Sequence, residues 1–160
     1  LIAYLFGAVI LATVINLVRA IEHEAEEKAE QQPVLVNLAQ RAEAILEALE
    51  QRTLTTQKAI EQIERLMEER QQADSAREQL GLDPVTFAIY WHLQGQDFKE
   101  ALLVAQEIVA AQARYPNHAD SEDELRGFKA EIYRSLMRGS SGAKMVSLGE
   151  AVIRLLGSAP

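Results

Sequence analysis

The sequence predicts an all-α fold, an irregular bundle of about seven helices containing an antiparallel helical hairpin. Three observations predict it. Apolar residues recur at alternating spacings of three and four along several charged segments. Helix start and stop signals (Asp83-Pro84, Ser121 with Glu124, Gly95, Gly139) punctuate the chain. No window shows the sustained alternation of a strand.

The first element is a long helix ending near Gln31, with Pro33 as punctuation. Residues Leu1 to Val18 carry no charge. That length approaches the roughly 20 residues needed to span a bilayer. Gly7, Thr13 and Asn16 weaken a membrane reading, and Arg19 is a poor topology signal on its own. No basic residue precedes the run, which argues against a signal peptide. The favoured expectation is a helix buried on all sides, in this domain or against a missing neighbour. The chain opens at Leu1 with this run already under way, and so reads as a piece of something larger. The domain division read from the pattern is 1–32, a long helix packed on or leading from an upstream domain, and 33–160, a helical C-terminal domain.

Leu35, Leu38, Ala42, Ile45 and Leu49 form one narrow apolar stripe. Ile60, Ile63 and Met67 form another, among Lys58, Glu61, Glu64, Arg65, Glu68 and Glu69. A narrow stripe on a charged rod is stable as a helix only when another element covers it. The short connector "QRTLTTQKA" predicts that these two helices cover each other as a hairpin.

Asp83 before Pro84 predicts an N-cap with proline in the first turn, opening an aromatic helix with Phe87, Tyr90 and Trp91. Asp97 and Glu100 suggest a capping box for the next helix, whose apolar set is Phe98, Leu102, Ala105, Ile108 and Val109. Ser121 and Glu124 suggest a second box, opening a helix that buries Leu125, Phe128, Ile132 and Leu136. A final helix carries Met145, Leu148, Val152 and Leu155.

Composition bounds the function. The 160 residues are 48% hydrophobic and 25% charged, the balance of a globular chain, with a net charge of −8. Such a chain is not an electrostatic match for a polyphosphate backbone. The charge is uneven: Ala20 to Leu80 holds 14 acids against 7 bases, and Leu125 to Arg154 holds 6 bases against 2 acids. With no cysteine, disulfides and thiolate metal sites are excluded, which fits a cytoplasmic protein.

Motifs of chemistry are missing from the sequence. There is no G-x-x-x-x-G-K-[ST], G-x-G-x-x-G or G-x-S-x-G. His23, His92 and His118 have no metal-ligand spacing and read as ordinary surface or structural histidines. Paired acids such as Glu26–Glu27 and Glu68–Glu69 read as solvated helix faces. The aromatics at 87–91 lack the flanking bases of a stacking platform and read as core. The basic C-terminal face is the better surface candidate. Its docking residues are taken as Arg126, Lys129, Tyr133, Arg134 and Met137, with Lys144 and Met145 beyond the turn.

Read in order, "NLVRAIEHEAEE", "LAQRAEAILEALEQRTLTTQKAIEQIERLMEE", "GLDPVTFAIYW", "EIYRSLM" and "VSLGEAVIRLL" resemble the C-terminal helical region of the restriction (R) subunit of type I restriction–modification enzymes. The resemblance runs from about Asn16 to Leu156 and lies in the order and wording of segments rather than in one motif. Leu1 to Ile15 departs from it. The resemblance implies a parent with a magnesium-dependent nuclease domain and two helicase-like ATPase motors, needing ATP and Mg. None of those catalytic or Walker residues has a matching position here, so no cofactor is expected in this segment. What transfers is docking: partners would be the modification and specificity subunits and the motor domains upstream, with DNA touched at most indirectly and no membrane. The other readings are an adaptor anchored in a membrane by residues 1–18, and an accessory DNA-contacting helical module.

Overall fold

The computed structural model describes residues 2–157. Those residues form seven helices and no strand, so the protein is an all-α assembly as its periodicity predicts. The helices are α1 (Ile2–Lys28), α2 (Val34–Glu50), α3 (Thr56–Leu80), α4 (Pro84–Gly95), α5 (Ala101–Arg114), α6 (Glu122–Leu136) and α7 (Gly142–Leu155). They group into two compact units, Leu1–Gly81 and Leu82–Pro160. The boundary read from Pro33 is not where the units divide, because a cut at 32/33 would separate α1 from α2, its principal packing partner.

In the first unit α1, α2 and α3 pack on one another. Their shared core is Val14, Val18 and Ala25 from α1, Leu35, Leu38, Ala42 and Ile45 from α2, and Ala59, Ile63, Leu66 and Ala73 from α3. The α2 stripe is the one its spacing predicts, with Leu49 half-buried at its end. The α3 stripe is not. Met67 is 46% exposed and Leu66 is buried in its place. Ala59, Leu66 and Ala73 repeat every seven residues, and the small alanines let the neighbouring helices approach closely. The larger Ile60 and Met67 beside them suggested a seam turned one residue round the helix.

The connector between α2 and α3 is tied down locally. Thr55 caps α3 by accepting from the Lys58 N–H at 3.4 Å, and Arg41 reaches across the hairpin to Glu69 at 2.8 Å. Gly81 ends α3 at φ 60, a left-handed value that glycine adopts without strain, and its N–H bonds the Arg77 carbonyl.

Burial of α1 on all sides is not what the chain provides. Val14 and Val18 are fully buried, but Ile2, Leu5 and Val9 are each at least 62% exposed. The reason is length. α1 has 27 residues and α2 has 17, so an antiparallel pair joined at 29–33 runs out of partner before the first turns of α1. No helix among the described residues is long and apolar enough to cross a membrane.

The second unit is built by α4 to α7. Asp83 caps α4 as its sequence predicts, accepting from the Thr86 N–H at 3.0 Å, with Pro84 in the first turn. Burial pushes the Asp83 carboxyl up, but hydrogen bonds from Thr86 and neighbouring backbone outweigh that and hold it below its usual 3.8. Phe87 is buried, stacking on Trp91 at 5.7 Å and tilting toward Tyr90 at 6.2 Å.

The capping box expected at Asp97 and Glu100 does not form. Both residues take left-handed backbone (φ 54 and 58), and no side chain caps α5. The chain instead bends to insert Phe98, only 6% exposed, while the Phe98 N–H bonds the Leu93 carbonyl. Burying that ring favours the tight turn over the cap. The second box forms in part. Ser121 accepts from the Glu124 N–H, but the Glu124 carboxylate turns to the Asn117 backbone N–H at 2.7 Å and side-chain amide at 3.1 Å.

Phe128, Ile132 and Leu136 of α6 are completely buried, packed in one core with Val104 and Ile108 of α5 and Val152 of α7. Each such side chain contributes about 1.5–3 kcal/mol on burial, which makes α6 the centre of the unit. Leu125, Met145 and Leu155, expected in these stripes, are half-buried at their margins.

The α6–α7 contact depends on Gly149. A Cβ there would lie 2.7 Å from Cζ of Tyr133, inside van der Waals contact. Gly149→Val should therefore destabilise the second unit by about 1–3 kcal/mol, the usual cost of overpacking. Urea unfolding would check this, and Tyr133→Leu in the same chain should recover part of the loss.

Candidate functional site

The seven docking residues read from the sequence do not form one surface. Tyr133 is half-buried with its ring over Gly149, where it joins α6 to α7. Met145 packs against the unit's own core, and Lys129 is half-buried. Lys144 is exposed, but its Nζ donates to the Gln96 carbonyl at 3.2 Å and ties the start of α7 to the end of α4. Arg126 is 78% exposed and lies 3.7 Å from Asp123 one turn earlier. Arg134 and Met137 are open surface as well, with Met137 66% exposed.

Around Arg134 the structure assembles groups that sequence reasoning missed. α5 and α6 form an antiparallel hairpin through the 115–121 loop. Arg114 bonds Glu131, and Arg138 bonds Glu107 at 2.9 Å. The two pairs sit seven residues apart, Glu107 and Arg114 on α5, Glu131 on α6 and Arg138 in the turn that follows it, so they stack along one face. Arg134 stands between them, one turn from Glu131 and one from Arg138. These five side chains, with Ala110 and Ser135, line a depression of ≈340 Å³. The signal that could have found this face is the charge complementarity of two helices joined by a short loop, 107 with 138 and 114 with 131.

The electrostatics follow from those contacts. The Arg114 guanidinium bonded to Glu131 holds its carboxyl below the usual 4.5; partial burial opposes this, while the Tyr115 hydroxyl and the charge of Arg134 reinforce it. The same bond, 3.0 Å from the Tyr115 Oη to Glu131, raises the tyrosine hydroxyl above its usual 10.0. Ion pairs this exposed are worth about 0.2–1 kcal/mol each, well below the core beneath them. Two of the three guanidiniums are matched by carboxylates, which leaves Arg134 as the excess charge.

The histidines have structural surroundings. His118 Nδ1 lies 2.7 Å from the Tyr115 carbonyl and its ring packs 4.9 Å from Phe128. His23 lies 3.5 Å from Glu27 on the next turn, and His92 is half-buried in the last turn of α4. No three His, Asp or Glu residues among those described are grouped to hold a metal ion.

Because Glu131 has a depressed pKa in the folded chain, its contribution to stability is complete above about 4.5 and is lost as pH falls through the folded value. Urea unfolding as a function of pH should show an acid limb beginning below that point. Glu131→Gln should flatten it, and an unchanged acid limb in that variant would show that the Arg114 pair carries no weight.

Comparison of the chain with known protein families, with curated proteins and with solved structures finds no match.

Proposed function

We propose that this chain is the C-terminal subunit-docking region of a type I restriction enzyme R subunit. In this reading it attaches an ATP-dependent translocase and endonuclease to the methyltransferase core of modification and specificity subunits, in the cytoplasm. ATP, Mg and catalysis belong to the parent's other domains, and this segment is not itself an enzyme. The family part of the proposal rests on the order of the segments quoted above. The docking part is carried by one observation, the exposed Met137 between Arg134 and Arg138 at the end of α6. An apolar anchor beside guanidinium groups is the composition of protein interfaces, where Met and Arg are enriched.

The same face favours a protein partner over DNA. Glu107 and Glu131 neutralise two of its three arginines, so few phosphates would be matched and little counterion release would follow. The membrane-anchored reading has less support, since no described helix is long and apolar enough to cross a bilayer.

The test is a pull-down of the chain with an assembled methyltransferase, with folding checked by circular dichroism. The chain should be retained, and Met137→Asp should weaken retention about tenfold or more, as loss of an interface anchor does. A folded chain that fails to bind the core overturns the proposal.

A further inference from the structure

The first unit carries a second surface with different chemistry. A groove of ≈590 Å³ runs between α1 and α3. Its floor is apolar: Leu17 and Ile21 from α1 and Leu66 from α3, with Leu35 and Leu38 of α2 beneath and Met67 on the lip. Its rim is acidic. Glu24 is occupied, held by Lys28 at 2.9 Å and by Arg70. Glu64 and Glu68 are exposed, and neither has a cation within ion-pair distance among the described residues. They stand one turn apart on α3, beside Met67.

We propose that this groove receives an amphipathic helix of a partner protein, one whose apolar stripe is flanked by lysine or arginine. Three features select that occupant. Along α3 the lining runs from Glu64 to Asp74, about 15 Å or nearly three helical turns, which suits a short helix rather than a small molecule. Met67, an unbranched thioether on the lip, can repack around differing apolar anchors. The rim supplies unmatched carboxylates, and the excess of 14 acids over 7 bases from Ala20 to Leu80 draws a cationic segment toward it.

A second copy of this chain fits less well. Of its exposed apolar surfaces, Met137 beside Arg134 and Arg138 is a single anchor at a helix end, too short to fill the floor, and the first turns of α1 carry no charge. That segment would cover the floor yet desolvate Glu64 and Glu68 without pairing them, which is costly. A helix with basic flanks satisfies both floor and rim.

For its biological setting the inference rests on the docking reading above, with the groove as a separate contact from the α6 face. The experiment uses no methyltransferase, so the two fail independently. The probe is a fluorescent peptide of about fourteen residues of Leu and Lys, its leucines at helical i, i+3, i+4, i+7 spacing. A peptide of the same pattern with Glu in place of Lys is the control. Anisotropy titrations against the full chain should show saturable binding of the Lys peptide and none of the Glu peptide. Glu64→Lys with Glu68→Lys should weaken binding by about tenfold or more, and Met67→Asp likewise. Glu43→Lys with Glu50→Lys, exposed acids of α2 away from the groove, should change it less than about threefold. Absence of saturable binding overturns the proposal. Equal loss in both charge-reversed pairs does so too, since it marks unspecific attraction. So does self-association of the free chain that Met67→Asp abolishes, which would assign the groove to a second copy.

Discussion

A narrow apolar stripe on a charged helix is stable only when another helix lies along it, and this constraint arranges everything else in the protein. Each unit meets it in the same way, through antiparallel neighbours joined by short loops. In the first unit the α2 stripe is shared between α1 and α3. In the second, Phe128, Ile132 and Leu136 of α6 are covered by α5 on one side and α7 on the other. Small residues are buried in these seams: Ala59 and Ala73 on α3, and Gly149 of α7 under Tyr133. With the stripes satisfied internally, the surface left to partners is what the helices do not need for one another.

That surface differs between the units. The first has an apolar groove edged by unmatched acids. The second has a ladder of guanidinium and carboxylate groups ending at an exposed methionine. Neither resembles an arrangement for covalent chemistry. The perturbed groups, Asp83, Tyr115 and Glu131, are explained by a helix cap and by a cross-helix ion pair. Shifts of that origin belong to structural contacts.

How much was legible in the sequence varies by element. The caps at Asp83 and Ser121, the α2 stripe and the α6 core were readable because they depend on residues three or four apart in one helix. The box at Asp97 failed because burial of Phe98 outweighed a local hydrogen-bonding preference. The α3 seam was displaced by one position because alanine, a weak signal in hydrophobic periodicity, is the residue that allows close helix contact. Of the candidate docking residues, Arg126, Arg134, Met137 and Lys144 stayed on the surface. Tyr133 and Met145 did not, because a large side chain beside a glycine or a core edge is as useful inside as out.

The sequence by itself determined the helices, most of their ends and the faces they bury, since these follow from short-range spacing and backbone capping. Tertiary structure alone decided where the chain divides, that the first turns of α1 outrun their partner, and that Glu107, Arg114, Glu131 and Arg138 meet across a hairpin around Arg134. It also left Met67 on the lip of a groove and Leu66 beneath it. The physical reason is common to all four. Helix formation depends on residues within a turn of one another, whereas division, overhang and pairing depend on the relative length and register of helices. Those are set only when the stripes are brought together.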